Sequence, residues 1–222
     1  MQQFSRVDHS FNTEQFLSKT NTGRSLTTLR RGENLYVQGD QADCLYYVQD
    51  GDLTLSAVTA VGKQATIALL GRGDFVGEEC LSSVRQTRMT TASALTDATL
   101  LRISRTEMFR LLQDESEMAR IFVAYLLARA DRIQADLIDQ LSNSSEKRLA
   151  RTLLLLSNYG NTDGSERLVP LISQDVLAAM VGCTRSRVNG FMNSFRRLGY
   201  IEYESNIRIR VKRGLLDVLL KP

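Results

Sequence analysis

Residues 172–201, ISQDVLAAMVGCTRSRVNGFMNSFRRLGYI, constrain this chain more than any other stretch. Their caps, glycine and apolar spacing leave room for little besides two short helices joined by a tight turn. Ser173 suits an N-cap, and Gln174 and Asp175 follow in the first turn, where negative charge is favoured. Val176, Leu177, Met180 and Val181 recur at helical spacing. Gly182 stands where the chain must reverse, and Gly takes positive φ there at little cost. Thr184 caps a second helix whose Val188, Phe191, Met192 and Phe195 share one face. The other face carries Ser186, Gly190, Asn193 and Arg197, flanked by Arg185, Arg187 and Asn189. This is the layout of a helix-turn-helix, whose second helix enters the DNA major groove. Arg can bind guanine and Asn adenine bidentately, so Arg185, Arg187 and Asn189 are the expected base readers. A solvated polar face on an ordinary amphipathic helix is the blander reading, and the turn chemistry weighs against it.

The segment that follows extends the pattern. Gly199 ends the second helix, and IEYESNIRIRV alternates around Asn206 as a short hairpin, making the motif winged. Arg208, Arg210, Lys212 and Arg213 make this wing basic, as phosphate contact requires. Charge is distributed to match. Residues 146–222 hold 13 Lys or Arg against 7 Asp or Glu, whereas residues 1–145 hold 15 against 18. The excess of positive charge lies in the segment assigned to double-stranded DNA.

Other classes find less support. The N-terminus lacks the apolar core of a signal peptide, and no apolar run approaches the ~20 residues of a membrane span, so no membrane partner is expected. Cys44, Cys80 and Cys183 are odd in number and scattered, which points to a reducing cytoplasm. With His9 the only histidine, no metal site is expected. An enzyme acting through Glu78 and Arg88 would lack a His base, a metal cluster or an activated nucleophile, and Glu78 and Glu79 would face opposite ways on a strand.

The N-terminal half reads differently. A short helix is expected near residues 12–19. From Leu26 to Ile103 the text is strand-like: LYYV, LTLSAV and ATIALL are separated by glycine turns, which implies a small antiparallel barrel or sandwich. Ser104 with Glu107 is a capping box opening a short helix to Gln113. A long helix over 116–141 follows, with more apolar surface than it can leave in water. It packs either on its own barrel or against a twin as in a coiled coil, with Arg129, Arg132, Asp136 and Asp139 breaking a strict heptad. LSNSSEK, residues 141–147, reads as a hinge, residues 145–158 as a helix, and 159–167 as an exposed loop. Gly77 and Glu78 lie on a turn after a strand, eleven residues before Arg88. Backbone amides and Arg88 could hold a phosphate and Glu78 a sugar hydroxyl, but a structural Glu–Arg pair fits the spacing equally well.

Over roughly residues 25–218 the chain resembles the CRP/FNR family of bacterial transcription regulators. LYYVQDGDLTL and GDFVGE look like its cyclic-nucleotide-binding β-roll, and VGCTRSRVNGF like its helix-turn-helix. The fold so implied is α+β: an effector-sensing β-roll over 1–114, a long dimerisation helix and hinge over 115–144, and a winged helix-turn-helix over 145–222. The resemblance implies a homodimer on a near-palindromic operator, with DNA contacts from Ser173, Thr184, Arg185, Ser186, Arg187, Asn189, Gly190, Asn193, Arg197 and Arg208. It implies a contact with RNA polymerase through the 159–167 loop. It also implies a cyclic-nucleotide site of the cyclic-AMP type at Gly77, Glu78, Arg88, Met89, Thr90, Ile133 and Gln134. Met89, Ile133 and Gln134 depart from the hydroxyl residues of cyclic-AMP-binding members. A cyclic nucleotide, another effector or none therefore all stay open. Ser186 and Gly190 replace the Glu and Arg of the cyclic-AMP-responsive reading helix, which implies a different half-site.

Overall fold

In a computed structural model, β3 (Cys44–Asp50) shows how the N-terminal sequence is used. Alternate side chains point to opposite faces, as strand periodicity requires. Leu45 and Tyr47 join a core with Phe75, Ile103, Met108, Leu111, Met118 and Phe122. Cys44, Tyr46 and Val48 join a second core with Leu53, Leu55, Val76, Ala92 and Leu100. A strand buried on both faces reads as a continuous apolar run. Each of the large side chains stabilises the fold by roughly 1.5–3 kcal/mol through burial. The structure describes residues 23–58, 64–84, 86–158, 168–170, 172–204 and 208–220. His9, the helix expected at 12–19, the loop 159–167 and the turn at Asn206 lie outside them.

The expected antiparallel arrangement is present as two four-stranded sheets. One has the order β1 (Arg24–Leu29), β8 (Ala98–Ser104), β3, β6 (Phe75–Val76), and the other β2 (Asn34–Tyr36), β7 (Thr91–Ala94), β4 (Leu53–Val58), β5 (Gln64–Leu70). α1 (Arg105–Asp114) leaves β8 directly. Ser104 Oγ accepts the Glu107 amide hydrogen, which is half of the capping box. The other half is not made: the Glu107 carboxylate turns away to Arg24 and Arg110, and the Ser104 amide donates to Gly23 instead. Two guanidiniums outbid one backbone N–H for a buried carboxylate.

The long helix is α2 (Ser116–Ser142). Only Met118 and Phe122 of it are buried. Val123, Leu126, Leu127, Ile133, Leu137, Ile138 and Leu141 are exposed, most of them at the three-and-four spacing of a coiled-coil seam. Arg129 and Arg132, which the sequence presents only as breaks in a heptad, make ion pairs to the barrel.

The chain divides into two units, one comprising residues 1–63 with 67–133, the other 64–66 with 134–222. The second holds α3 (Ser145–Asn158), β9 (Leu168–Pro170), α4 (Gln174–Val181), α5 (Arg185–Arg197), β10 (Ile201–Glu204), β11 (Arg208–Val211) and α6 (Leu216–Leu220). The wing hairpin pairs Ile201 with Val211 and Glu204 with Arg208. Two elements are additions to the sequence reading. β9 joins β11, pairing Val169 with Ile209, so the wing is a three-stranded sheet. The short α6 buries Val218. Both are too short for periodicity to identify.

Candidate nucleic-acid interface and ligand site

α4 and α5 form where the caps place them. Ser173 Oγ accepts the Val176 amide hydrogen at 3.2 Å, and Thr184 Oγ1 accepts that of Arg187 at 3.4 Å. Gly182 closes α4 in the left-handed region, with φ 70°. Val188, Met192 and Phe195 are buried and fix the rotation of α5. The opposite side is therefore presented to solvent: Arg185, Ser186, Arg187, Asn189, Gly190, Asn193 and Arg197 are all exposed. Phe191 is only half buried, and the Arg187 guanidinium lies over its ring, 5.7 Å from the centroid. Arg185 reaches Asp175 at 3.6 Å. Among the described residues nothing would lie within 4 Å of a Cβ at Gly190, and Gly190, Asn193, Ser194, Arg196 and Arg197 line a groove. In the wing, Lys212 is ion-paired to Glu202. The side chains of Arg208 and Arg213 lie outside the described residues.

One residue that sequence reasoning missed ties this unit together. The Arg148 guanidinium donates to the carbonyls of Val181 at 2.9 Å and Asn143 at 2.8 Å. It collects carbonyls at the ends of α4 and α2, groups that a helix terminus leaves without intrahelical partners. Spacing carries little signal for it, because the Val181 carbonyl it reaches lies 33 residues further along the chain.

The second constellation lies in the barrel. β6 ends at Val76, Gly77 takes φ 83°, and a 3-10 turn follows over Glu78–Leu81. The expectation that Glu78 and Glu79 face opposite ways on a strand is thereby corrected, because the left-handed glycine ends the strand one residue earlier. Arg88 is 3% exposed, and its guanidinium points inward. It donates to the Cys44 carbonyl at 2.7 Å and the Gly77 carbonyl at 3.1 Å, approaches Glu79 at 3.5 Å and stacks on the Tyr36 ring. A Cβ on Gly77 would lie 2.4 Å from Arg88 Nη1, so only glycine permits this approach.

The Glu–Arg pair expected from spacing is also rearranged. Arg88 pairs with Glu79, while Glu78 pairs with Arg129 of α2. Burial pushes the Glu78 carboxyl up, and the neighbouring Arg129 charge opposes this only in part. Burial, with the charge of Glu79, likewise raises the Tyr36 hydroxyl, and the neighbouring Thr90 side chain opposes this only in part. Among the described residues, Arg88 Nε is buried without a hydrogen-bond partner. Gly77, Glu78 and Arg88 are thus gathered about one turn, and Thr90 lies beside Tyr36. Met89 is 49% exposed, and Ile133 and Gln134 are exposed on α2. Among the described residues no group of His, Cys, Asp or Glu could hold a metal, and no helix is long and apolar enough to cross a membrane.

Comparison with known proteins assigns both units. Residues 26–115 match the cyclic nucleotide-binding domain, and residues 147–218 the Crp-like helix-turn-helix domain. A cyclic AMP receptor protein of Thermus thermophilus is 33% identical over 77% of this chain and 76% of its own length. An anaerobic regulatory protein of Bacillus subtilis is 28% identical over 83% of this chain and 80% of its own. A solved CRP-family transcriptional regulator from Thermus thermophilus superposes with a TM-score of 0.75 over 88% of this chain and 97% of its own, at 23% identity.

Proposed function

This chain belongs to the CRP/FNR family of transcription regulators, and from that premise we propose how it reads DNA and what governs it. It acts in the cytoplasm as a homodimer. Two copies of α2 pair through Val123, Leu127, Ile133, Leu137 and Leu141, and each α5 enters a major groove of a near-palindromic operator. Half-sites then lie about one helical turn, roughly 34–36 Å, apart. The observation that carries this reading is the face of α5. Its apolar side is buried in its own unit, while Arg185, Arg187, Asn189, Asn193 and Arg197 stand exposed together on the other. The exposed stripe on α2 supports the dimer, since so much apolar surface on one helix marks an interface. Contact with RNA polymerase through residues 159–167 belongs to the same reading.

The test is selection of binding sites from random duplexes, with oligomeric state followed by sedimentation. Wild type should select a two-fold sequence as a dimer. Leu137→Glu should give a folded monomer with weakened operator binding. Arg185→Ala should relax one half-site position at a cost of about 1–3 kcal/mol. A selected sequence that Arg185→Ala leaves unchanged would remove Arg185 from the readers.

For the barrel the reading is a small anionic effector of the cyclic-nucleotide class at Gly77, Glu78 and Arg88. The buried, unpartnered Nε of Arg88 supports an additional acceptor there. Such a ligand gates DNA binding only by its differential affinity for two states of the dimer. A ligand-free, constitutive regulator is the second reading. It is favoured by the engagement of Arg88 with Cys44, Gly77 and Glu79, and of Glu78 with Arg129. Calorimetry with cyclic AMP and cyclic GMP on ligand-stripped wild type and Arg88→Ala separates them. Heat that disappears in the variant supports the gated switch. No heat at millimolar nucleotide, with operator binding intact, supports the constitutive one.

A further inference from the structure

The first turn of α4 does more than start a helix. Gln174 Nε2 donates to Asn189 Oδ1 on α5 at 3.2 Å, across the turn. Asn193 Nδ2 donates to the same oxygen at 3.3 Å from one turn further along. An amide carbonyl oxygen has two lone pairs, so these two donors occupy its accepting capacity. The side-chain donor group of Asn189, Nδ2, makes no hydrogen bond among the described residues and sits on the exposed face.

We propose that Gln174 is a specificity-determining positioning residue, which with Asn193 holds Asn189 in the orientation that offers DNA a donor and no acceptor. This rests on the reading that α5 lies in the major groove, and it changes what that helix recognises. Asn reads adenine by accepting from N6 and donating to N7 at once. With Oδ1 taken, that bidentate pair is unavailable, and an adenine would set its N6 amino group against the Asn189 amide hydrogens. The matching edges are those with acceptors only: guanine, through O6 and N7, or thymine, through O4. The adenine contact that residue type alone suggests for Asn189 is therefore replaced by an acceptor-reading one.

The proposal is tested by selecting sites from random duplexes with the full-length protein. Wild type should show one half-site position that Asn189→Ala abolishes, and that position should be guanine or thymine, favoured over adenine by roughly tenfold. Gln174→Ala should let the amide turn over and admit adenine there, without changing the other positions. Gln174→Glu, which replaces the donor by an acceptor, should draw Nδ2 inward and move the preference towards adenine or cytosine. The Gln174→Ala/Asn189→Ala double variant should match Asn189→Ala alone. Thermal unfolding checks that all variants are folded. Adenine at the Asn189-dependent position in wild type, or an unchanged preference in both Gln174 variants, overturns this proposal while leaving the major-groove reading intact. Failure of wild type to select any sequence overturns the major-groove reading, and this proposal with it.

Discussion

Arg129 of α2 and Glu78 of the 3-10 turn form an ion pair, Nε to Oε1 at 2.9 Å, with both side chains largely withdrawn from water. Arg129 Nη1 also donates to the Tyr125 hydroxyl at 3.0 Å, and that hydroxyl donates to the Phe75 carbonyl at 2.8 Å. The long helix is thereby held to the turn that carries the candidate ligand residues. A ligand hydroxyl bound by Glu78 would compete with the Arg129 pair, so the site and the helix share one carboxylate.

Removing Arg129 leaves that carboxylate without compensation. Arg129→Ala should lower stability by about 2 kcal/mol at neutral pH, read from the denaturant midpoint. The Glu78 carboxyl is already raised by burial, and loss of the positive charge raises it further. The deficit should shrink as pH falls and Glu78 takes up a proton. A deficit independent of pH would mean that the loss is one of packing, not of charge.

Gly77→Ala should be costly for two reasons. The backbone there has φ 83°, and the new methyl would lie 2.4 Å from the Arg88 guanidinium. A left-handed non-glycine residue costs roughly 1–2 kcal/mol, and displacing Arg88 adds to that. Equilibrium unfolding should show a loss of at least this size. A neutral substitution would mean that Arg88 has room to leave its inward position.

The Glu107 carboxyl is shifted the opposite way to that of Glu78, below its ordinary value. The Arg110 hydrogen bonds, then the charges of Arg110 and Arg24, hold its carboxyl below the ordinary glutamate value against the penalty of burial. A lowered folded pKa means that the charged form contributes stability above the unfolded pKa, near 4.5. That contribution is lost as pH falls through the lowered value. Glu107→Gln should therefore destabilise at pH 7, and the deficit should shrink as pH falls below the unfolded value and through the lowered folded one. Curves that stay parallel across this range would contradict the assignment.

Gly190→Ala separates folding from reading. The position is in the interior of α5, and an added Cβ would meet nothing within 4 Å. Helix propensity then favours Ala by roughly 0.5–1 kcal/mol, and the thermal midpoint should rise. The same methyl narrows the groove beside Asn193 and Arg197, so the selected DNA sequence should shift although stability improves.

Local grammar made much of this molecule legible. The caps at Ser173, Thr184 and Ser104, the turn at Gly182, the apolar run LYYV and the alternation of LTLSAV each depend on residues a few positions apart. The α+β architecture and the winged helix-turn-helix followed from that grammar and from the family resemblance. β9 and α6 escaped because three and five residues hold too little periodicity.

Residue type and spacing also determined which side chains are available for chemistry: Gly77, Glu78 and Arg88 near one turn, and the cationic and amide face of α5. Only the tertiary structure decided what each of them is bound to. It gave Arg88 to the Cys44 carbonyl and Glu79, Glu78 to Arg129, Glu107 to Arg24 and Arg110, and Asn189 to Gln174 and Asn193. The physical reason is that caps and periodicities are satisfied within one or two turns of chain. A buried charge or an amide takes whichever partner the packing of distant elements brings within about 3 Å, and sequence spacing does not encode that distance.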